Sequence, residues 1–267
     1  MQVERLISYI EETANPGHAA TWDISGVHVS GERQCIERVA VALDPIEETI
    51  VRALEWDAHF ILTHHPLTLA PKIPSGDDLY TRILRLLFRS DVWLYCAHTS
   101  LDRNLSGPVS WFSRSIGLED THPLDPISPG DREYGFGIIG DLAVPLEGEV
   151  FVRRVLEIVG RERCLGVGEV PEQVSRVAYC AGSGMELGGR AFEMGAQVFI
   201  SGDIKYHLAR DMELAGFVMD VGHFSLEEKM MEVWAKQITR DLKGEGIEVR
   251  FFPGRDPLAI IERDTTG

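Results

Sequence analysis

Histidine and carboxylate side chains stand at several places in the sequence where they could bind metal ions. His64 and His65 are adjacent, and Pro66 follows them directly. Proline restricts the residue before it to an extended or turn conformation, so the two imidazole rings could diverge and bind different ions. Imidazole is a ligand for Zn, Fe, Cu and Ni, and a nearby carboxylate extends the range to Mn. Taken alone, the pair is equally compatible with two solvated loop histidines.

A second candidate pair, His223 and Glu227, is spaced four residues apart at the start of a predicted helix. This spacing places both side chains on one helix face, where they could share an ion, and Gly222 leaves the approach free of a side chain. An ordinary helix start, with a glutamate favoured by the helix dipole, also explains the pair. Asp102 follows a His-Thr-Ser-Leu segment and could be a metal ligand or only a cap or turn residue.

The predicted secondary structure indicates that these residues belong to one site. Short apolar strands alternate with helical segments, which is typical of an α/β fold with mainly parallel sheets flanked by helices. The strands are predicted at 36–43, 59–62, 92–97, 177–181, 198–201 and 217–221, and the helices at 3–13, 46–56, 79–88, 151–159, 185–194, 206–215 and 225–242. Asp44 is predicted to cap the helix at 46–56. The histidines and carboxylates follow strand ends, which is where open α/β sheets have their binding sites.

Two α/β lobes are predicted from the distribution of prolines. The segment 122–133 contains three prolines and a Pro-Gly turn with little apolar periodicity, so it is interpreted as the junction. The N-terminal lobe, residues 1–128, would carry the His-His-Pro motif and Asp102. The C-terminal lobe, residues 129–267, would carry the His-x3-Glu motif. One continuous domain is the alternative, and the metal site is expected at the strand ends between the lobes.

The composition favours a soluble, cytoplasmic protein that binds neither nucleic acid nor membranes. Apolar residues make up 44% of the chain and charged residues 25%, as in ordinary globular proteins. The formal net charge of −16 opposes binding to phosphate backbones, which requires Lys and Arg. The first fifteen residues resemble a charged amphipathic helix rather than a signal peptide, and no apolar run approaches the roughly 20 residues that span a bilayer. The cysteines lie far apart, so reduced thiols are expected.

Together with further motifs, these residues resemble the Nif-three-like dinuclear metal-centre family, many of whose members are known as GTP cyclohydrolase I type 2 homologues. The resemblance covers nearly the whole chain. It is carried by the segments 22–27, 62–67 (LTHHPL), 95–102 (YCAHTSLD), 135–140 (GFGIIG), 181–184 (AGSG), 201–207 (SGDIKYH) and 222–227 (GHFSLE). The chain departs from the family at Ile24 and Ser25, where an Asn-Val pair is common. It also lacks the central domain that some members insert between the lobes.

The resemblance implies that two divalent metal ions are bound by His64, His65, Asp102, His223 and Glu227. His65 and Asp102 would hold one ion, His64 and His223 the other, and Glu227 would bridge both. The mixed ligand set leaves Zn, Fe, Mn and Co open. The resemblance further implies two α/β lobes and a ring-shaped homo-hexamer whose sites face an inner cavity.

These features predict a metal-dependent hydrolase that acts on a small anionic substrate, either phosphorylated or nucleotide-like. The family name implies opening of the GTP ring, but no purine-recognition motif is identified in the sequence. His98 and His207 are candidates for proton transfer or for orienting the ligands, and structural hydrogen bonding explains them equally well. Lys205 and the loop at 181–184 could contact an anionic group, although a tight turn also explains the loop. The alternative function is a metal-binding or interaction scaffold without turnover.

Overall fold

The computed structural model describes residues 1–261, and within them the chain forms two β-sheets flanked by helices. The strands are β1 (Gly26–Val29), β2 (Arg38–Ala42), β3 (Phe60–Thr63), β4 (Trp93–Cys96), β5 (Leu118–Pro126), β6 (Gly135–Glu147), β7 (Leu165–Val167), β8 (Gln173–Tyr179), β9 (Val198–Ser201), β10 (Phe217–Asp220) and β11 (Glu248–Phe251). The helices are α1 (Val3–Thr13), α2 (Glu47–Glu55), α3 (Leu79–Ser90), α4 (Thr99–Asp102), α5 (Trp111–Ile116), α6 (Gly148–Val159), α7 (Gly188–Glu193), α8 (Tyr206–Met212) and α9 (His223–Asp241). Short 3-10 helices lie at Pro16–His18, Pro108–Ser110 and Met185–Leu187.

Both sheets are mixed, with parallel strands in the middle and antiparallel strands at one or both edges. The first sheet has the order β1-β4-β3-β2-β11, and only β1 runs antiparallel to its neighbour. The second has the order β5-β6-β8-β9-β10-β7, in which β8, β9 and β10 are parallel. The predicted α/β class is therefore confirmed. The second sheet contains more antiparallel pairing than the helix–strand alternation predicts, because β5, β6 and β7 lie outside the alternating part of the sequence.

Strand β5 occupies the first part of the segment that was interpreted as the junction. Among the strands that the structure describes, β5 pairs only with β6 and is an edge strand, so Pro126 can lie in it without breaking a second ladder of hydrogen bonds. The proline content of this segment is thus compatible with a strand as well as with a loop. The division into lobes at residues 128 and 129 stays a prediction. Strand β11, late in the chain, adds to the first sheet beside β2, and residues 262–267 of the predicted second lobe lie outside the described residues.

A core shared by both sheets supports the strand ends that carry the histidines. The side chains of β3 and β9 are all buried, as expected for strands covered on both faces. Helix α9 packs against β2 and β11 of the first sheet and against α5 and α6. Its Trp234 is fully buried and belongs to the same cluster as Leu62 and Ile200. Among the described residues, no helix has the length and apolar character needed to cross a membrane.

Candidate metal centre

The carboxyl ends of β3, β4 and β10 bring the sequence-predicted ligands to one place. His64 and His65 follow β3, Asp102 ends the short helix after β4, and His223 begins α9 after β10. Glu227 lies one turn further along α9 and is only 3% exposed. β3 and β4 are neighbouring parallel strands of the first sheet, and their ends lie side by side. His223 follows β10 of the second sheet and contacts His65, so residues distant in sequence meet between the two sheets. The structure thus brings together all five predicted side chains.

One nitrogen of each of these histidines is held by a partner that fixes the ring. The Nδ1 atoms contact acceptor oxygens at the following positions: His64 to the Ala97 carbonyl at 2.8 Å, His65 to Asp44 Oδ1 at 2.6 Å, and His223 to Asp203 Oδ2 at 2.7 Å. These partners place the ring proton on Nδ1 and leave the Nε2 lone pair as the free donor. Metal-binding histidines in proteins have this arrangement, in which the outer partner orients the ring and raises its basicity.

The sequence analysis did not identify the two aspartates that orient these rings. Asp44 was predicted to cap helix α2, but the cap position of α2 is Ile46, and Asp44 contacts His65 instead. Asp203 has a left-handed backbone with φ of 60°, a conformation that aspartate tolerates better than most residues. Both aspartates follow strand ends, as the ligands do. The sequence did contain a signal for them: each aspartate follows the strand that neighbours the strand before its histidine.

The first group of candidate ligand atoms is formed by His65, His223 and Glu227. His65 Nε2 lies 3.3 Å from His223 Nε2, and these two atoms lie 2.9 and 2.8 Å from Glu227 Oε2. Two ligands that each lie about 2.0–2.1 Å from one ion are separated by about 2.9–3.4 Å in octahedral or tetrahedral geometry. The spacing of these three atoms therefore fits a single ion.

The second group is formed by His64, Asp102 and again Glu227. His64 Nε2 lies 3.6 Å from Asp102 Oδ1 and 3.5 Å from Glu227 Oε1. His64 Nε2 and Asp102 Oδ1 are buried and have no hydrogen-bond partner. Unpartnered buried polar atoms are rare and costly, and a cation bound at this group would satisfy both. The residues present therefore fit a metal centre.

Glu227 contributes one oxygen to each group, as a bridging carboxylate would. The histidines, however, are grouped differently from the pairing that the resemblance implies. His64 lies with Asp102, and His65 lies with His223. The physical reason is ring orientation: the hydrogen bond to Asp44 turns the free nitrogen of His65 towards the start of α9.

The charges in this cluster depend strongly on one another. Burial lowers the pKa of His65, but hydrogen bonds with Asp44 and Glu227 outweigh burial and raise that pKa to about 10. The hydrogen bond with Glu227 likewise raises the pKa of His223 to about 9. Burial alone would raise the pKa of Glu227, yet the neighbouring His64 and the hydrogen bonds bring it well below its usual range. Glu227 is therefore ionised, and a cation entering the cluster must compete with protons on the histidines.

His98 is a further histidine of this cluster. Its ring centroid lies 5.3 Å from that of His64 and 5.8 Å from that of His65, and it forms a third candidate ligand group with them. His98 Nδ1 contacts Asp23 Oδ1 at 2.9 Å. The Asp23 carboxylate is fully buried and also accepts a hydrogen bond of 2.7 Å from Ser25 Oγ. Ser25, one of the departures from the family pattern, thus supports the loop that orients His98.

His207 and Lys205 are not brought into the cluster. Both are exposed, and the His207 ring packs against the neighbouring Tyr206 with centroids 5.5 Å apart. Among the described residues, His207 belongs to no group of side chains that could hold a metal ion. Of the two histidines predicted to transfer protons or orient ligands, the structure places only His98 beside the candidate ligands.

The loop at 181–184 packs closely against the candidate ligands. Gly182 has φ of +67°, and a Cβ atom added to it would lie 2.2 Å from Glu227 Oε1. A side chain at position 182 would overlap the Glu227 carboxylate, which explains why this position is glycine. Beside this loop, a cavity of about 340 Å³ opens onto Asp102, His223 and Glu227. A small molecule in this cavity would reach the candidate ligand groups directly.

Comparison with known proteins agrees with these observations. A family model described as Duf34/NIF3 (NGG1p interacting factor 3) matches residues 1–257. The chain belongs to this family. A Clostridium perfringens relative named GTP cyclohydrolase 1 type 2 homolog is 28% identical over 263 residues, covering 98% of this chain and 100% of the relative. A Streptococcus pneumoniae relative with the same name is 30% identical over 239 residues, covering 87% and 88%.

Solved structures with the same fold support this assignment. A Bacillus cereus protein related to NIF3 superposes with a TM-score of 0.87 at 20% identity, covering 98% of this chain and 99% of that one. Reduced HcgD from Methanocaldococcus jannaschii superposes with a TM-score of 0.79 at 26% identity, covering 94% and 97%. The two mixed sheets described above are thus the family architecture.

Proposed function

We propose that this Duf34/NIF3 protein binds two divalent metal ions and uses them to hydrolyse a small phosphorylated or nucleotide-like substrate. The observation that carries the proposal is the pair of ligand groups that share Glu227, with one carboxylate oxygen in each group. Two ions held side by side lower the pKa of a water molecule and stabilise the oxygens of the reacting group. The names of the two relatives, both GTP cyclohydrolase 1 type 2 homolog, support a hydrolytic role.

In this proposal each ligand has a defined task. His65 and His223 would hold one ion and His64 and Asp102 the other, and Glu227 would contribute a carboxylate oxygen to each. The buried positions of His64 and Glu227 exclude bulk water from this side of the centre. The mixed imidazole and carboxylate set accepts Zn, Fe, Mn or Co.

We assign proton transfer to His98. The contact of its Nδ1 with Asp23 leaves Nε2 with a free lone pair beside the ligand groups. His98 also lines the cavity, so it can accept a proton from the attacking water and return it to the leaving group. Asp23 positions the ring through this contact.

The experiment is elemental analysis of protein purified without added metal, combined with a turnover assay on a panel of nucleotides and phosphoesters. Glu227→Gln is expected to lose both the paired metal and the turnover, because an amide cannot bridge two cations as a carboxylate does. His64→Ala should abolish turnover as well. Glu232→Gln, on the same helix but in contact with Lys229 and Lys236, is the matched control and should behave as wild type.

Two outcomes would refute the proposal. Turnover that persists in Glu227→Gln without the metal pair would show that the hydrolysis does not depend on this centre. Two bound ions without turnover on any substrate of the panel would favour the alternative, a metal-binding scaffold. The homo-hexamer stays a prediction, which sedimentation equilibrium of the intact chain can test.

A further inference from the structure

A second cavity, of about 330 Å³, reaches the His65 and His223 rings from the side of Asp44 and Asp203, the two aspartates that orient them. It is separate from the cavity beside the 181–184 loop, since among the described residues His223 alone lines both. The ligand group that contains these two histidines therefore has a second opening, which the proposed hydrolysis does not use.

The chain after β11 continues into a C-terminal strap, residues 252–258, that forms one wall of this second cavity. Asp256, Pro257 and Leu258 line the cavity, and the strap contains neither helix nor strand. An irregular segment has few backbone hydrogen bonds to break when it moves. The contacts of the strap with the rest of the chain therefore decide how firmly it covers the cavity.

The strap is held differently at its two ends. At its start, the buried Phe252 donates its N–H to a carbonyl of β2 at 2.8 Å, and Gly254 donates its N–H to a carboxylate oxygen of α9 at 2.7 Å. At positions 255–258, the one hydrogen bond or ion pair that reaches a described residue outside the strap joins Asp256 to Arg161. The start of the strap is therefore anchored, and its cavity-facing half depends on a single ion pair.

Arg161 joins the strap to the turn that carries His223. Its Nε donates to Ser225 Oγ at 2.5 Å, and a Cβ atom added at Gly222 would lie 3.0 Å from its Nη2. The side chains of Arg161 and Asp256 are 27% and 20% exposed. Solvent screens a partly enclosed ion pair less than a fully exposed one, so this pair can hold a short segment in place.

We propose that the C-terminal strap is a gate for the ion held by His65 and His223, and that the ion pair of Arg161 with Asp256 is its latch. When this pair breaks, the cavity-facing half of the strap moves away and the second cavity opens to a divalent cation. Three aspartate carboxylates line this path, and among the described residues no lysine or arginine does, so the path attracts cations. The inference depends on the ion binding proposed above but not on the hydrolysis.

The exchange rate of Co²⁺ in the full-length protein tests the latch. Uptake is followed by visible absorption after mixing metal-free protein with Co²⁺, and release is followed at an EDTA concentration above which the rate no longer changes. Asp256→Asn and Arg161→Gln should each speed both uptake and release of one ion about fivefold, the factor that corresponds to an ion pair of about 1 kcal/mol. The double variant should be no faster than either single variant, because both remove the same contact. Asp141→Asn, which breaks an ion pair with Arg176 on the second sheet away from both cavities, is the control and should exchange at the wild-type rate.

The two substitutions change the charge beside the cavity in opposite directions, so the sign of their effects is decisive. Faster release in Asp256→Asn with slower release in Arg161→Gln would show that charge alone governs exchange and would overturn the latch. Faster release with unchanged uptake would overturn it too, because a gate changes both rates and leaves the affinity for Co²⁺ as it was. A protein that binds two ions but exchanges them at one rate in all variants refutes only the gate. A protein that takes up no Co²⁺ refutes the proposed metal centre and the gate together, whereas gated exchange without any turnover refutes only the hydrolase.

Discussion

Gly182→Ala tests the close contact between the 181–184 loop and the candidate metal centre. Two costs are expected from the structure. The backbone φ of +67° is a left-handed conformation, which costs a non-glycine residue about 1–2 kcal/mol. In addition, the new Cβ would lie 2.2 Å from Glu227 Oε1, so the buried carboxylate, whose Oε1 lies 3.5 Å from His64 Nε2, must shift. We expect the variant to lose stability and one or both metal ions.

Gly160→Ala is the matched control for backbone strain. Gly160 ends helix α6 with φ of +70°, and a Cβ atom there would meet nothing within 4 Å. Gly160→Ala should show only the cost of the left-handed backbone. This cost is about 1–2 kcal/mol of unfolding free energy, which lowers the unfolding temperature by roughly 2–8 °C. Gly182→Ala should unfold at a lower temperature than the control and bind less metal by elemental analysis. Equal unfolding temperatures and equal metal content in the two variants would refute the steric argument.

Further predictions concern orientation, pH and packing. Asp44→Asn should weaken metal binding about 10–100-fold in a chelator competition, because it weakens the hydrogen bond that orients His65; unchanged affinity would contradict this role. Burial and the charge of Arg33 lower the pKa of His59, so its folded form binds fewer protons than the unfolded chain. Urea unfolding should therefore show wild-type stability falling as pH drops below about 6.5, with a smaller fall in His59→Asn; equal slopes would exclude His59 as the cause. Trp234→Ala should cost about 3–5 kcal/mol of unfolding free energy, since the side chain is fully buried, and a loss below about 1 kcal/mol would show that the core repacks.

Much of the fold follows from local patterns in the sequence. The first helix, Val3–Thr13, has the predicted bounds, and β9 has them as well. The strands in the middle of both sheets were predicted because buried parallel strands are short apolar runs. Strands β5 and β11 were not predicted. Whether these two segments form strands depends on pairing at a sheet edge. β11 pairs with β2, which lies more than 200 residues earlier in the chain.

The sequence by itself determined which side chains gather at the candidate metal centre. His64 and His65 follow β3 and Asp102 follows β4, and the ends of these neighbouring parallel strands lie together in one sheet. His223 and Glu227 follow β10 of the other sheet, and the family pattern joined them to the set. The family pattern and the fold class were available from the same residues.

Only the tertiary structure decided how these side chains are grouped. His65 and His223 are 158 residues apart in the chain, but their Nε2 atoms lie 3.3 Å apart in space. Residue spacing fixes the position of a side chain along its element, but the direction of an imidazole ring is set by its hydrogen-bond partner. For His65 that partner is Asp44, and a contact of this kind exists only after the strands have packed side by side.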